Sequence, residues 1–222
     1  MNVEQWAAVD RYFVEIVEPA DAVLDAALAA SSAAGLPAIN VAPNQGKLLQ
    51  LLARIHGART ILEIGTLAGY STIWLARALP AGGRLTTLEL DPKHADVARA
   101  NFKRAGLDDL IDLHVGAAIE TLPRLAAEGR GPFDFIFIDA DKISILEYFQ
   151  WALKLARPGS VIVVDNVVRK GAVIEADSSD ASVQGVRRFM ESLRGDSRVS
   201  ATTLQTVGSK GYDGFLLAVV NG

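Results

Sequence analysis

The sequence predicts a single α/β domain over residues 1–222, built on a doubly wound and mostly parallel sheet of seven strands. One observation behind this prediction is that short β-branched or aliphatic runs alternate with helical segments, as in repeated β-α units with right-handed crossovers. Another is that the runs FDFIFID (133–139) and SVIVVD (160–165) are apolar on both faces. Such strands are typical of a parallel sheet that helices cover on both sides.

The first 45 residues predict a helical cap that precedes the sheet. Apolar residues recur at helical spacing over residues 3–17, and Pro19 ends this pattern. An Ala-rich helix is predicted over about 20–33. The segment 40–46, NVAPNQG, has the composition of a loop, and a third helix runs from it to about Ile55.

The parallel part of the sheet is predicted to contain five strands joined by helices. The predicted strands are Thr60–Ile64, Leu85–Leu90, Ile111–Val115, Phe133–Asp139 and Ser160–Asp165. The connecting helices are predicted near 71–79, 92–105, 118–128 and 143–156.

The end of the chain departs from this alternation. A helix near 182–194 precedes two strands, at about 198–205 and 213–220, with only the Gly-rich sequence VGSKGYDG between them. This spacing predicts an antiparallel hairpin at one edge of the sheet. The polar segment 169–185 predicts a long mobile loop, and loops of this length inside a domain are usually functional or disordered.

The composition excludes several classes of protein. Half of the residues are apolar, which is incompatible with a disordered chain. Lys and Arg total 22 against 26 Asp and Glu, so the basic excess expected of a nucleic-acid-binding protein is missing. There is no Cys for a disulfide or a thiolate metal site. With no signal-like N-terminus and no membrane-length apolar run, we expect a cytoplasmic protein with neither nucleic-acid nor membrane partners.

A glycine turn after the first strand is the first candidate ligand site. Gly65 and Gly69 permit a tight turn and a close approach of the backbone to a ligand, while Glu89 closes the second strand. A carboxylate at that point can accept hydrogen bonds from both ribose hydroxyls of a nucleoside. The turn lacks the second glycine of the dinucleotide fingerprint, and Glu63 beside it would repel a pyrophosphate. The pattern therefore favours a cationic ligand over a dinucleotide.

Oxygen-bearing side chains follow the fourth and fifth strands. Asp139 ends one of these strands, and Asp165 with Asn166 ends the other. Three oxygen donors without a thiolate suit a hard cation, with Mg²⁺ expected and Ca²⁺ or Mn²⁺ possible alternatives. Lys142 is close enough in sequence to share this site. The alternative is that these residues only cap the helices that follow, which is their commonest local use.

The remaining polar candidates are interpreted as structural. His56, His94 and His114 have no metal-ligand spacing, so we expect them to be structural or surface residues. Ser71 and Thr72 are typical of the start of a helix, and no Ser-His-Asp pattern marks either as a nucleophile.

Four segments together resemble the cation-dependent O-methyltransferases of the catechol and caffeoyl-CoA type, which use S-adenosylmethionine (SAM). These segments are ILEIGTLAGYSTIWLA (61–76), TTLELD (86–91), FDFIFIDADK (133–142) and GSVIVVDNVV (159–168). The resemblance extends over nearly the whole chain from about residue 36. It implies a Rossmann-like methyltransferase fold, a small phenolic substrate and a homodimer.

The resemblance also implies roles for individual residues. It places Glu63, Gly65, Thr66 and Ser71 at the methionine and ribose part of SAM, Glu89 on the ribose hydroxyls and Leu90 against the adenine. Ala118, Asp139 and Asp141 would complete this pocket, with Val41 closing over it. Asp139, Asp165 and Asn166 match the family's metal ligands, and Lys142 matches its general base.

Several alternatives remain open at this stage. Methylation of a catechol-like molecule is expected, but a hydroxycinnamoyl-CoA thioester is an alternative acceptor. Lys170 stands where the plant enzymes have an Asn near the substrate, and Arg169 or Lys170 could meet an acidic group of the substrate. From other classes, a nicotinamide-dependent reductase and a non-catalytic binding protein are the competing hypotheses.

Overall fold

In the computed structural model, which describes residues 2–17 and 21–222, seven strands form one sheet. In chain order they are β1 (Thr60–Ile64), β2 (Arg84–Glu89), β3 (Ile111–Val115), β4 (Phe133–Ile138), β5 (Ala156–Asp165), β6 (Val199–Gly208) and β7 (Gly211–Val220). Their order across the sheet is β3-β2-β1-β4-β5-β7-β6. The first five are parallel to their neighbours, whereas β7 pairs antiparallel with both β5 and β6. The predicted doubly wound sheet with an antiparallel C-terminal hairpin is confirmed.

Helices surround the sheet across the described ranges. They are α1 (Val3–Val17), α2 (Ala22–Ala33), α3 (Pro43–His56), α4 (Tyr70–Ala76), α5 (Pro92–Ala105), α6 (Ala118–Ala127), α7 (Ile145–Leu155) and α8 (Ala181–Ser192). Short 3-10 helices cover Asp108–Leu110 and Arg169–Ile174. None of these helices combines the length and the apolar character that crossing a membrane requires.

The predicted N-terminal boundaries are only partly described. Pro19 and the predicted start of the second helix at residue 20 lie outside the described residues. The second helix is described from Ala22, and the Asp21 side chain before it accepts hydrogen bonds from the Val23 and Leu24 N–H groups. Asp21 is thus an N-cap that satisfies two donors of the first helical turn.

Apolar side chains on both faces of the central strands produce two cores. Ile61 and Phe135 are fully buried on the face covered by α2 to α5, while Leu62 and Ile136 are fully buried on the face covered by α6 to α8. Successive residues of a strand point to opposite faces, so a strand that is apolar throughout must be buried on both. The central strands are therefore apolar throughout because helices cover both faces of the sheet, as the sequence predicted.

The prediction of a long loop over 169–185 is wrong. Its first part forms the 3-10 helix Arg169–Ile174, and α8 already begins at Ala181. The hairpin strands are longer than predicted, because Val207 pairs with Tyr212 and Gly208 pairs with Gly211. The glycines that predicted a wide turn thus belong to the ladder of hydrogen bonds between β6 and β7.

The connectivity of the sheet defines where a ligand is expected. The chain runs outward from β1 to β2 and β3, then returns to β4 on the other side of β1. Open parallel sheets bind ligands at the carboxyl ends of the strands beside such a switch point. The glycine turn after β1 and the carboxylates after β4 and β5 all lie at this end.

Candidate active site

A cavity of about 780 Å³ opens at the carboxyl ends of the parallel strands. Its volume is within the range of small-molecule sites. Nine of the ten residues predicted for cofactor binding line it: Val41, Gly65, Thr66, Ser71, Glu89, Leu90, Ala118, Asp139 and Asp141. The predicted base Lys142 and the predicted metal ligand Asn166 line the same cavity. A single cavity therefore contains residues predicted to bind the cofactor together with the predicted base and a predicted metal ligand.

The glycine turn is possible because two positions have no side chain. Gly65 has a φ of +101°, and a Cβ there would lie 2.0 Å from the carbonyl oxygen of Asp139. Gly69 has a φ of +82°, and its Cβ would lie 2.3 Å from the Phe102 ring. Both positions need glycine for backbone conformation and for space. The turn after β1 consequently packs directly against the end of β4.

Glu63 lies beneath this turn rather than in the cavity wall. Its side chain is fully buried and accepts hydrogen bonds from Ser71 Oγ at 2.6 Å, Thr87 Oγ1 at 2.7 Å and Thr72 Oγ1. Burial raises the pKa of Glu63 to about 7, against the opposing effect of these hydroxyl donors. Glu63 ties β1, β2 and α4 together under the site, and its direct contact with a cofactor stays a prediction.

Glu89 is held at the cavity by backbone donors from the glycine turn. Its Oε2 accepts hydrogen bonds from the N–H groups of Thr66 at 3.2 Å and Leu67 at 2.7 Å. Its Oε1 accepts from the Asp91 N–H at 3.0 Å and lies 3.3 Å from His94 Nδ1. The carboxylate is thereby fixed while still forming part of the cavity wall.

The carboxylates after β4 and β5 share a single cation. Lys142 Nζ donates to Asp139 Oδ1 at 2.9 Å, and Asp165 is 4% exposed. Gln45 Nε2 donates to Asp165 Oδ2 at 2.7 Å. Burial first, and then the charge of Asp139, raise the pKa of Asp165 to about 7. The two carboxylates are therefore close enough to disfavour each other's charge.

This donor set fits a divalent cation. Two neighbouring carboxyl groups lie here with one lysine, which is paired with Asp139, so the acidic groups exceed the basic ones and a hard cation would balance them. Asn166, at a left-handed φ of 57°, lines the cavity beside them and supplies an amide oxygen. No cluster of three or more His, Cys, Asp or Glu side chains suited to a metal occurs within 2–17 and 21–222. The fit thus depends on the amide of Asn166 as the third donor.

Asp141 is oriented by α7. Its Oδ2 accepts a hydrogen bond from the Tyr148 hydroxyl at 2.5 Å, and its Oδ1 accepts from the Ser144 N–H at 2.9 Å. These donors hold the pKa of Asp141 below its usual value although burial opposes them, so the group presents a fixed negative charge to the cavity. Burial and the hydrogen bond to Asp141 raise the pKa of Tyr148, which keeps its hydroxyl a donor.

A model of the O-methyltransferase family matches residues 18–219, which is most of the chain. The chain belongs to the O-methyltransferase family. The family predicted from the four sequence segments is confirmed.

Relatives and solved structures resemble this O-methyltransferase over its whole length. A Niastella koreensis protein named catechol O-methyltransferase is 56% identical over 220 residues, covering 99% of this chain and 100% of that protein. An O-methyltransferase from Bacillus cereus in complex with SAH has a TM-score of 0.97 at 57% identity, covering 99% of this chain and 100% of that one. The O-methyltransferase TomG from Streptomyces achromogenes, involved in tomaymycin synthesis and in complex with SAM, has a TM-score of 0.96 at 54% identity, covering 100% of both chains.

Three residues of this O-methyltransferase site were not predicted. Gln45 reaches Asp165 across 120 positions of sequence, so no local signal could reveal it. Tyr148 follows Asp141 by seven positions, or about two helical turns, and that spacing could have been noticed. His94 was interpreted as structural or on the surface, yet it lines the cavity beside Glu89.

Proposed function

We propose that this O-methyltransferase transfers a methyl group from SAM to one hydroxyl of a catechol-like molecule, with a divalent cation held by Asp139, Asp165 and Asn166. The observation that carries the proposal is that Asp139 and Asn166 line the same cavity as Glu89 and the glycine turn, with the buried Asp165 beside Asp139. The Niastella koreensis relative is named a catechol O-methyltransferase, and the Bacillus cereus and Streptomyces achromogenes structures contain SAH and SAM. These names support the same reaction here.

The cofactor end of the cavity suits SAM because its fixed charges are negative. Glu89 is positioned to accept hydrogen bonds from the ribose hydroxyls. Asp141, held by Tyr148, would bind the ammonium of the methionine part. Leu90 and Ala118 would contact the adenine at the apolar end. A pyrophosphate would be repelled by these acids, which disfavours the nicotinamide alternative.

The metal ligands would be Asp139, Asp165 and Asn166. A divalent cation supplies positive charge that stabilises a phenolate, whose parent phenol has a pKa of ~10 and is otherwise little ionised at neutral pH. Gln45 holds one oxygen of Asp165, and the Asn166 N–H at 2.8 Å holds the other, so the carboxylate is oriented before any ligand binds. Orientation of this kind is the usual role of residues that support a metal ligand.

Lys142 is the group proposed to take the proton. It is 7% exposed, lines the cavity and is held by Asp139 at 2.9 Å. As a base Lys142 would have to be the neutral amine, its own proton having passed to solvent before the acceptor binds. Its Nζ would then take the proton of the acceptor hydroxyl, the resulting oxygen anion would form the O–CH₃ bond, and the S–CH₃ bond of SAM would break with its electron pair remaining on sulfur. Holding donor and acceptor in one cavity supplies the alignment that this displacement needs.

A binding and product assay tests the proposal. SAM and NADH are titrated separately by calorimetry, and the protein is then incubated with SAM, Mg²⁺ and either catechol or a hydroxycinnamoyl-CoA thioester. We expect SAM to bind, NADH not to bind, and a monomethylated catechol to form. Binding of NADH alone would support a reductase, and SAM binding without any methylated acceptor would support a non-catalytic protein. If the thioester is methylated in preference to catechol, the proposed acceptor is wrong and the hydroxycinnamoyl-CoA thioester takes its place.

The remaining expectations are part of the proposal. We propose one catalytic domain over residues 1–222 whose first 45 residues form a cap, because Val41 from this segment lines the cavity. We also propose a homodimer in the cytoplasm. Sedimentation of the purified chain would test the assembly, with a monomer at micromolar concentration contradicting it.

A further inference from the structure

Arg169 differs from the other basic side chains that line the cavity. Lys142 pairs with Asp139, and His94 lies beside Glu89. For Arg169, no carboxylate partner occurs anywhere in the part of the chain that the structure describes. The cavity thus contains one positive charge that the protein leaves unneutralised.

The guanidinium group of Arg169 also has an unmet need for an acceptor. Its Nε atom is buried and makes no hydrogen bond. A buried donor without a partner is costly, and more so when it carries a charge. Since Nε is shielded from the cavity, the donors left for a ligand are the two Nη atoms, for which the described residues supply no hydrogen-bond acceptor. A carboxylate can accept two parallel hydrogen bonds from an arginine fork, so an anion of planar, bidentate shape suits these two donors.

The backbone around Arg169 is held in an unfavourable conformation. Arg169 and Lys170 have φ values of 56° and 57°, in the left-handed region that non-glycine residues rarely adopt. Asp213 on β7 stabilises this segment, because its Oδ1 accepts hydrogen bonds from the Val168 N–H at 3.1 Å and the Arg169 N–H at 3.0 Å. Such strain persists only where surrounding contacts maintain it, and it concentrates at functional sites.

The position of Arg169 indicates which part of the substrate it would contact. It follows Asn166 by three residues, so the two Cα atoms are at most ~11 Å apart, and both residues line the same cavity. A substituted aromatic ring bound beside Asn166 would therefore share this part of the cavity with Arg169. A phosphate of CoA, at the far end of a long thioester arm, does not need to come so close to the reacting ring.

We propose that Arg169 binds a carboxylate carried on the ring of the methyl acceptor, so that the preferred substrates are acidic catechols rather than neutral ones. This inference rests on the proposed function, since it assigns the substrate class of that same site. It makes Arg169 a residue that determines specificity, while the proton and methyl transfers remain with the groups described above.

The test compares two acceptors of almost the same shape. These are 3,4-dihydroxybenzoate and its neutral analogue 3,4-dihydroxybenzamide. Binding of each is measured by calorimetry to the protein saturated with Mg²⁺ and S-adenosylhomocysteine, and kcat/KM is measured with SAM. The variants are Arg169→Gln, Arg169→Lys and the matched control Lys170→Gln. Lys170 is the adjacent cation with the same left-handed backbone, but it is exposed and does not line the cavity.

The expected result for the Arg169 variants is a loss of affinity for the benzoate but not for the benzamide. The wild type should bind the benzoate about 10-fold or more tightly than the benzamide. Arg169→Gln should weaken binding of the benzoate by about 10-fold to 100-fold and lower its kcat/KM chiefly through KM, while the same values for the benzamide change by less than about 3-fold. Arg169→Lys should fall between, because it keeps the charge and loses the fork. Lys170→Gln should leave the preference for the benzoate close to that of the wild type.

Other outcomes would overturn the inference. Equal losses for both acceptors in Arg169→Gln, or a wild type without preference for the acid, would reduce Arg169 to a structural residue. A loss confined to a hydroxycinnamoyl-CoA thioester would move its partner to the CoA phosphates. If the wild type binds the benzoate through Arg169 but forms no methylated product, the inference stands and the proposed function fails.

Discussion

The buried carboxyl group of Glu63 should make the stability of this protein depend on pH. Its pKa in the folded state is about 7, raised from 4.5 by burial. Between these two values the folded state binds more protons than the unfolded state, so the free energy of unfolding falls as the pH rises. At about 1.4 kcal/mol for each pKa unit, ionised Glu63 costs about 3 kcal/mol well above neutral pH. That cost is absent below the unfolded-state pKa.

The substitution Glu63→Gln removes the titration and keeps the size of the side chain. The difference in unfolding free energy, variant minus wild type, should therefore increase by about 2 to 3 kcal/mol between about pH 5 and pH 9. Urea unfolding, followed by tryptophan fluorescence and circular dichroism at each pH, gives this difference. A chelator in every sample keeps bound cations from adding their own pH dependence.

A matched control separates this effect from the loss of any carboxylate. Glu175 is exposed, so Glu175→Gln should follow the wild type across the same pH range. If the curves of Glu63→Gln and the wild type instead run parallel from pH 5 to pH 9, the carboxyl group is not held as described. The assignment of Glu63 as a buried link between β1, β2 and α4 with a raised pKa would then be wrong.

Three further substitutions follow from contacts at and below the site. Gly65→Ala should destabilise the fold by about 3 kcal/mol or more, measured by urea unfolding, because its Cβ would collide with the Asp139 carbonyl at a φ of +101°. Tyr148→Phe should weaken SAM binding about 10-fold through the freed Asp141, yet leave methylthioadenosine, which lacks the amino-acid part, within about 2-fold in the same calorimetric titration. Asp134→Ala should lower the unfolding free energy by about 3 kcal/mol without changing KM, since two backbone N–H groups and an arginine lose their acceptor.

The sequence was most informative where local pattern and burial coincide. The central strands are apolar on both faces because both faces are covered, as the full burial of Ile61 and Leu62 illustrates. The carboxylates after β4 and β5 could be placed together because parallel strands end at the same edge. The positions of the glycine turn and of the acidic side chains around the cavity therefore followed from the order of the strands, and the metal ligands among them stay a proposal.

The parts that could not be predicted depend on contacts distant in sequence. The segment at Arg169 forms a 3-10 helix with left-handed residues, and the contact that holds it comes from Asp213 on another strand. Gln45 reaches Asp165 from a separate helix in the same way. The Glu63 carboxyl group accepts hydrogen bonds from three hydroxyls below the turn, those of Ser71, Thr72 and Thr87, and the sequence showed no sign of these contacts, while its predicted contact with the cofactor stays a prediction.

The rate of methyl transfer from SAM to catechol, with and without a divalent cation, tests the central claim most directly. Protein treated with a chelator should lose activity by about 100-fold or more, and added Mg²⁺ should restore it. Asp165→Asn should remain nearly inactive with Mg²⁺ while still binding S-adenosylhomocysteine as the wild type does. Full turnover by the chelated wild type, or by Asp165→Asn, would contradict the account of Asp139, Asp165 and Asn166 as the metal ligands of this methyltransferase.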